Sequence, residues 1–317
     1  MPPPKIPDEL LIEALNLAEE YGSVYLASKA GATEVPRNTL EHRVREARIK
    51  GLKPTARKDA PRIYTRQRIG NMHLVIPDVQ SKPGVRNDHM EWIGNYIVEK
   101  KPDTIICIGD FWDFPSLSRY DKGKLAFEGR RYVNDVKAGR VAMERLLKPI
   151  DDYNRTAKEK YTPRKVFTLG NHEIRLVRLV DENPEFMGKF DITDLGIKDD
   201  FGWEQHDFLK VVEIDGIQYA HYFTSGVMGR PVSSAAALLR ERQGSATRGH
   251  VQFSDMAMHK KTNNIGLFCG TCYLHDEQYL GAQGNDQRRQ IVVKHEVEDG
   301  KYDPMLVSLR FLEKAYS

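Results

Sequence analysis

Five short polar motifs each follow a predicted β-strand, and they constrain the fold more than any other feature of the sequence. They are Asp78-Val79-Gln80, Gly109-Asp110-Phe111-Trp112-Asp113, Gly170-Asn171-His172-Glu173, His221 and Gly249-His250-Val251-Gln252. In an α/β fold the strand ends meet at one edge of the sheet, where such folds place their sites. The pattern therefore predicts that side chains far apart in the sequence converge on one site.

The segments between these motifs alternate between strand and helix patterns. Apolar runs with β-branched residues predict strands over 72–76, 104–108 and 166–169, and residues 88–100 are predicted to form a helix. Asp215-Gly216 and Asp299-Gly300 predict hairpin turns, with strands over 208–214, 218–223, 290–298 and 305–311. Residues 114–163 are charged and mostly helix-like, and we expect a helical insertion there. The fold class is therefore α/β.

The first 56 residues are predicted to form a small all-helical domain. Helices are expected over 8–21, 23–30 and 36–50, with glycines at the turns. A basic final helix after a glycine turn is typical of a helix-turn-helix, whose last helix enters the DNA major groove. A protein-docking module is the alternative. The residues expected to contact nucleic acid are Arg37, Asn38, Thr39, Arg43, Arg45 and Arg48.

The excess positive charge lies in the N-terminal part of the chain. The whole chain has 48 Lys and Arg against 45 Asp and Glu, whereas the first 72 residues have 13 against 9. Residues 57–70 are expected to form a basic linker. A basic block favours a polyanionic partner, here nucleic acid and DNA more than RNA. A solvated linker with no such partner is the alternative.

Composition excludes several other classes of protein. No apolar run approaches the ~18 residues of a membrane helix, so no membrane association is expected. Three cysteines do not make a disulfide framework, and a reducing cytoplasmic compartment is expected. Cys269 and Cys272 form a lone Cys-x-x-Cys, and a structural zinc site needs four ligands, so neither zinc binding nor redox chemistry is expected there, and Cys107 is expected in the core.

The residue types of the five motifs suit a pair of divalent cations. Carboxylate and amide groups offer oxygen and histidine offers nitrogen. Two ions about 3.5–4 Å apart clamp a phosphate and turn a bridging water into hydroxide near neutral pH. The glycines before Asp110, Asn171 and His250 are expected to let the backbone turn sharply enough to aim each ligand inward.

The order of these motifs resembles the signature of calcineurin-like metallophosphoesterases: Asp-x-His, Gly-Asp-x-x-Asp, Gly-Asn-His-Glu/Asp, His, Gly-His-x-His. The match covers residues 71–317. It implies a four-layer fold, a sandwich of two sheets flanked by helices. Together with the helix-turn-helix leader, the layout resembles phosphoesterases encoded by tailed bacteriophages, which implies the host cytoplasm as the location.

The resemblance implies a role for each matching residue. The ligands that it implies are Asn171, His221 and His250 at one metal, Asp78, Gln80 and Gln252 at the other, and Asp110 between the two. His172 would lie over the substrate phosphate and protonate the leaving oxygen or stabilise the transition state. Asp113 would orient His172 or a ligand.

Gln80 and Gln252 stand where the family pattern has histidine. Both changes fall on one metal site, which becomes nearly all oxygen and is expected to favour Mn²⁺, or Mg²⁺, over Zn²⁺ or Fe. We therefore expect a tight nitrogen-containing site beside a weaker site for a hard ion. Loss of the weaker site, leaving a single metal or an inactive protein, is the alternative.

The predicted activity is hydrolysis of phosphate esters in nucleic acid, as a nuclease or an end-processing phosphatase. A protein phosphatase is a rival, but the stretch after Asp110 is Phe-Trp-Asp-Phe-Pro, without the valine and Asp-Arg-Gly of that subfamily. A DNA-binding regulator with a degenerate phosphoesterase domain is the other alternative. The cations expected to form either a phosphate-binding rim or a solvated face are Arg119, Lys122, Lys124, Arg130 and Arg131.

Overall fold

The computed structural model describes residues 6–20, 24–29, 31–55, 70–277, 281 and 285–317. The chain divides into two compact units, Met1–Gln67 and Arg68–Ser317. Nearly all of the predicted linker lies outside the described residues, and so do positions 21–23 and 30 at the predicted helix ends.

Three helices form the first unit, as the sequence predicts: α1 (Asp8–Glu20), α2 (Val24–Lys29) and α3 (Arg37–Ile49). Apolar positions three and four residues apart bring one face of each helix to a common core. The buried residues of this core are Leu11, Ala14, Leu15, Ala27, Leu40, Val44 and Ala47. The remaining faces of α3 are left to its basic side chains.

The second unit contains all the strands of the described chain. In chain order they are β1 (Asn71–Ile76), β2 (Thr104–Cys107), β3 (Arg164–Thr168), β4 (Glu204–His206), β5 (Val212–Ile214), β6 (Ile217–Ala220), β7 (Thr224–Ser225), β8 (Arg230–Pro231), β9 (Ala246–Arg248), β10 (Ser254–Met258), β11 (Ile265–Cys269), β12 (Gln290–Glu298) and β13 (Lys301–Ser308). One sheet has the order β13-β12-β1-β2-β3-β4, and the other has the order β10-β11-β9-β6-β5. Strands β1 to β4 are parallel, and so are β6, β9 and β11.

The helices of this unit are α4 (Asp88–Lys100), α5 (Tyr132–Thr156), α6 (Ile174–Glu182), α7 (Ala235–Arg242) and α8 (Leu309–Tyr316). Val75 and Ile106 of the first sheet and Leu267 of the second belong to one buried apolar cluster, so the sheets lie face to face. Apolar residues of α4, α5 and α8 cover the outer face of the first sheet. Apolar residues of α7 cover the outer face of the second sheet. The predicted α/β class and four-layer arrangement are confirmed.

Several segments differ from the prediction. The predicted strand over 208–214 is reduced to β5, because residues 208–209 form a turn in which Leu209 has a positive φ, of 64°. The predicted strand over 305–311 ends at Ser308, because its side-chain Oγ accepts a hydrogen bond from Phe311 N at 3.2 Å and caps α8. Helix α5 runs on to Thr156 and buries Met143 and Leu146 against the first sheet, so it is a crossover helix of a core layer. No helix among the described residues is long and apolar enough to cross a membrane.

Lys294 of β12 is fully buried between the two sheets. Its Nζ donates a hydrogen bond to Thr247 Oγ1 and lies 4.4 Å and 4.3 Å from the ring centroids of Tyr219 and Tyr302. Burial lowers the pKa of this amine from 10.5 to about 7. A protonated amine in this core is therefore costly.

We expect Lys294→Met to stabilise the protein at pH 7 and to flatten its stability–pH curve. Between pH 7 and 10.5 the unfolded chain keeps the Lys294 proton that the folded protein releases, so wild-type stability rises with pH there. The slope from this group is about 1.4 kcal/mol per pH unit at most. Urea denaturation at pH 7 and 9 measures it, with exposed Lys122→Met as control. Equal slopes in wild type and Lys294→Met would contradict this assignment.

Candidate metal centre

The polar motifs follow the carboxyl ends of β1, β2 and β3 in one sheet and of β6 and β9 in the other. Because these strands are parallel within each sheet, their ends lie at a common edge. His221 Nδ1 donates a hydrogen bond to Ile108 O at 2.9 Å, which joins the end of β6 to the end of β2 across the sandwich. Side chains from both sheets thus meet at one place.

Four of the predicted metal ligands form one cluster. Ligand atoms of Asp110, His221 and His250 all lie within 4.8 Å of one another. Asn171 Oδ1 lies 2.9 Å from His221 Nε2 and 2.6 Å from His250 Nδ1. The hydrogen bond from His221 Nδ1 to Ile108 O leaves Nε2 to face Asp110 Oδ2 at 3.3 Å. This arrangement of two imidazoles, a carboxylate and an amide is a candidate metal site.

Asp78 and Gln80 are buried beside this cluster. Asp78 Oδ1 accepts a hydrogen bond from His250 N at 3.1 Å. Within the described part of the chain, Asp78 Oδ2 and Gln80 Oε1 are buried without a hydrogen-bond partner. A buried orphan oxygen costs about 1–3 kcal/mol, so two together fit a cation better than a protein donor. Burial raises the pKa of Asp78 to about 7, which a cation would reverse.

Gln252 is placed differently from Gln80. Its Oε1 lies 3.5 Å from Gln287 Nε2, and Gln287 Nε2 also donates to Tyr273 Oη at 2.9 Å. The structure thus joins Gln252 to a polar group beyond β11, and its role as a metal ligand stays a prediction.

The electrostatics of the cluster leave the nitrogen of His250 available for a metal, whereas His221 would give up a proton to bind one. Burial lowers the pKa of His221, but Asp110 and Asp78 outweigh burial and raise it to about 9. Burial, followed by the neighbouring His221, lowers the pKa of His250 to about 4, so this imidazole is neutral at pH 7. Burial alone would raise the pKa of Asp110, but His172 and His221 outweigh burial and bring that pKa below its ordinary value. Asp110 is therefore ionised and central among the ligands.

Two glycines provide space rather than a turn. A Cβ atom on Gly170 would lie 2.2 Å from Asp110 Oδ1, and one on Gly249 would lie 2.4 Å from Asp78 Oδ1. The expectation that these two glycines are needed for sharp turns is therefore wrong. Of the three glycines that precede Asp110, Asn171 and His250, Gly109 alone has a positive φ, of 94°. Close approach of the carboxylates to the backbone requires glycine at 170 and 249.

Three non-glycine residues at the site have left-handed backbone conformations. The φ angles are 45° at Gln80, 51° at Asp110 and 69° at His250. Such conformations cost on the order of 1 kcal/mol each and cluster at functional sites. A hydrogen bond from Gln80 N to Asp110 O at 2.9 Å couples two of these residues. The loops hold three candidate ligands in a fixed, strained arrangement.

Glu173 is a buried residue of the site to which the sequence pattern assigns no role. Its buried Oε2 accepts hydrogen bonds from Asp110 N and Gly170 N at 3.0 and 2.8 Å. Its Oε1 accepts from Phe111 N and Trp112 N at 2.7 and 3.0 Å. This carboxylate ties the loop after β2 to the loop after β3. Its place in the Gly-Asn-His-Glu motif was the available signal.

His172 faces the cluster from the side of a large cleft. Its Nδ1 lies 2.9 Å from Asp113 Oδ1, and its Nε2 lies 3.7 Å from Asp110 Oδ2. Burial pushes the pKa of His172 down, but Asp110 and Asp113 outweigh burial and leave the pKa above its ordinary value. Lys82 Nζ holds Asp113 Oδ2 at 3.0 Å from the other side. Asp113 therefore fixes the ring of His172.

The cleft beside His172 has a volume of about 1010 Å³ and extends along residues 115–131. Carboxylates already pair with three of the predicted rim cations. Arg130 pairs with Asp121 at 2.7 Å, Lys124 with Asp121 at 3.5 Å, and Arg119 with Glu182. These pairs weaken the prediction of a phosphate-binding rim, although Lys124, Arg130 and Arg131 line the cleft.

The predicted nucleic-acid contacts all lie on α3 of the first unit. Arg37, Asn38, Thr39, Arg45 and Arg48 are exposed there, and Arg43 is half-buried. Arg37 Nε pairs with Glu41 Oε1 at 2.7 Å along the same helix.

No family model and no curated protein matches the sequence. Among solved structures, the chain is similar to Vps29 from Entamoeba histolytica complexed with Zn²⁺, at 11% identity and a TM-score of 0.32, over 75% of this chain and 99% of that chain. It is also similar to YfcE, a phosphoesterase from E. coli, at 10% identity and a TM-score of 0.33, over 75% and 100%. At these values neither likeness bears on function, which has to be inferred from the side chains of the site.

We expect the full chain to bind two Mn²⁺ ions, the second of them beside Asp78 and Gln80. Gln80→Met should bind one ion, because the substitution removes a buried oxygen from that second position. Gln80→His should raise Zn²⁺ affinity there. Calorimetric titration with Mn²⁺ and Zn²⁺ measures both effects. Gln243→Met is a matched control, since exposed Gln243 also has a positive φ, of 53°. A single Mn²⁺ per wild-type chain would favour the one-metal alternative.

Proposed function

We propose that the chain is a metal-dependent phosphoesterase that hydrolyses phosphate esters. The convergence of Asp110, Asn171, His221 and His250 beside two buried orphan oxygens carries this proposal. A cation site of mixed nitrogen and oxygen ligands opens beside a histidine and a cleft, which is the arrangement that phosphate hydrolysis needs. The resemblance of the motif order to calcineurin-like metallophosphoesterases supports the same reaction.

Two divalent ions fit the donors present. His221, His250, Asn171 and Asp110 would hold one, and Asp78, Gln80 and Asp110 would hold the other, with Mn²⁺ proposed for the oxygen-rich position. When bound, such ions supply Lewis acidity toward the phosphate and a water of lowered pKa.

His172 is proposed as the general acid. The carboxylates of Asp110 and Asp113 favour its protonated form, and Asp113 holds Nδ1 so that Nε2 faces the site. Lys82 and Arg175 hold Asp113 in turn, through its carboxylate Oδ2 at 3.0 Å and its backbone carbonyl at 2.7 Å. On this proposal, His172 gives its proton to the leaving oxygen of the ester at that side of the cleft.

We expect the full chain to hydrolyse bis(p-nitrophenyl) phosphate with Mn²⁺. His172→Ala should lower kcat about 10²–10⁴-fold by removing the proton donor. Asp110→Asn should abolish turnover by removing the charge shared by both ions. His259→Ala is the control for loss of an exposed histidine, and it should leave kcat unchanged.

Absence of turnover with Mn²⁺, Mg²⁺ and Zn²⁺ would instead favour the DNA-binding regulator with a degenerate site. Turnover that survives His172→Ala unchanged would remove the general acid from the proposal but leave the metal centre in place. A preference for phosphorylated peptides over nucleic acid would revive the protein phosphatase.

A nucleic acid substrate is the finer part of the proposal, and exposed basic residues on α3 support it. Arg45 and Arg48 lie outside the helical core and are free of the Glu41 pairing that engages Arg37. Cations so placed release counterions when they meet phosphates, which gives affinity without sequence readout. A helix-turn-helix in a DNA major groove would add sequence readout.

We expect an Arg45→Gln, Arg48→Gln double variant to bind duplex DNA with a weaker salt dependence. Each lost phosphate contact lowers the slope of log K against log [salt] by about 0.9. Fluorescence anisotropy between 50 and 200 mM salt, roughly the range over which such slopes are measured, gives the slope. Arg310→Gln, on an exposed position of α8, is the matched control. Equal slopes for all three proteins would refute DNA contact through α3.

A further inference from the structure

Arg175 lies three residues after His172, at the start of α6, and it lines the large cleft. Its Nη1 donates hydrogen bonds to the carbonyl oxygens of Asp113 and Phe114 at 2.7 and 3.2 Å. Its side chain is 19% exposed. Two backbone carbonyls therefore fix the guanidinium in place while one edge of it remains open to the cleft.

In the part of the chain that the structure describes, Arg175 is not paired with a carboxylate at hydrogen-bond distance, unlike the cleft cations Lys82, Lys124 and Arg130. The exposed Arg131 also donates to a carbonyl, that of Arg130. Arg130 lies 2.7 Å from Asp121 Oδ2, and Lys82 lies 3.0 Å and 2.6 Å from two carboxylates. For Arg175, the closest carboxylate oxygen among the described residues is Asp113 Oδ1 at 3.8 Å, beyond hydrogen-bond length. Carbonyl oxygens satisfy its hydrogen bonds without neutralising its charge.

The open edge of Arg175 points at the reacting side of His172. Arg175 Nη2 lies 3.1 Å from His172 Nε2, which itself lies 3.7 Å from Asp110 Oδ2. The two carbonyl contacts use Nη1, and Nη2 carries two further N–H groups. When His172 is protonated its Nε2 is also a donor and does not accept from Nη2, so two donors face a common point close to the candidate metal ligands.

We propose that Arg175 and His172 form an oxyanion subsite, in which Arg175 Nη2 binds a non-bridging oxygen of the substrate phosphate. The subsite rests on the proposed function for its place in a reaction, but it requires only that a phosphate group enters the cleft. A planar guanidinium held on two carbonyls is suited to a tetrahedral oxyanion, and lysine is not equivalent to it.

The test is calorimetric binding of inorganic phosphate to the full chain loaded with Mn²⁺. Arg175→Met should raise the Kd of phosphate about 10-fold or more, as expected for a charge-assisted hydrogen bond. Arg175→Lys should lie between Arg175→Met and wild type. Arg130→Met removes a cleft arginine that is already paired, and it should leave the Kd within about twofold of wild type.

Bound Mn²⁺ and the far-ultraviolet circular dichroism of each variant are measured alongside. If Arg175→Met loses metal or structure, Arg175→Gln replaces it, since its amide keeps a donor for the carbonyl of Asp113 but has no charge. The subsite is overturned if wild type does not bind phosphate, or if both Arg175 variants bind it as tightly as Arg130→Met.

The two hypotheses fail separately. Phosphate binding that depends on Arg175 without any ester hydrolysis would leave the subsite standing and remove the phosphoesterase. Ester hydrolysis by the wild type, together with phosphate binding that substitution of Arg175 leaves unchanged, would remove the subsite and leave the phosphoesterase standing.

Discussion

One buried carboxylate fixes the geometry on which the site depends. Glu173 accepts hydrogen bonds from four backbone N–H groups, three in the loop after β2 and one in the loop after β3. Those two loops carry Asp110 and Asn171. Burial raises the pKa of Glu173, and the N–H donors act in the opposite direction by stabilising its ionised form. Because one side-chain carboxylate accepts from the backbone of both loops, it sets the separation of the two loops that carry the ligands.

The sequence predicted that the ligand side chains converge on one site, but not the contacts that hold them there. Asp110, Asn171, His221 and His250 were foreseen because strand ends in parallel sheets share an edge, a consequence of topology that local patterns reveal. The spatial role of Gly170 was not foreseen, because it depends on the approach of Asp110, sixty positions away in the chain. Local patterns are silent about such distances. They also hid the start of α8, since apolar residues continue past Ser308 and only its cap ends the strand.

Charge explains why the centre is built from these groups. Asp78, Asp110 and Glu173 are all buried at the ends of neighbouring strands, and carboxylates crowded in this way repel one another. Glu173 is compensated by backbone dipoles and Asp110 by imidazoles. Asp78 Oδ1 accepts a hydrogen bond from His250 N, and its second oxygen is an orphan among the described residues. Burial raises the pKa of Asp78 to about 7, so the protein stabilises its negative charge poorly at the position where a cation is proposed.

Gln80 stands where the pattern that the sequence resembles has histidine, and this difference bears on the balance between the two proposed ions. An amide oxygen is a hard, neutral donor, so the position near Asp78 loses nitrogen while keeping its two carboxylates. The left-handed backbone of Gln80 is held by the hydrogen bond from its N to Asp110 O, and its buried Oε1 has no hydrogen-bond partner among the described residues. On the proposed function, the position rich in nitrogen keeps its ion while the other fills and empties with the supply of Mn²⁺ or Mg²⁺. Catalysis would then follow hard-ion concentration rather than zinc, because the ion that exchanges is the one bound by oxygen alone.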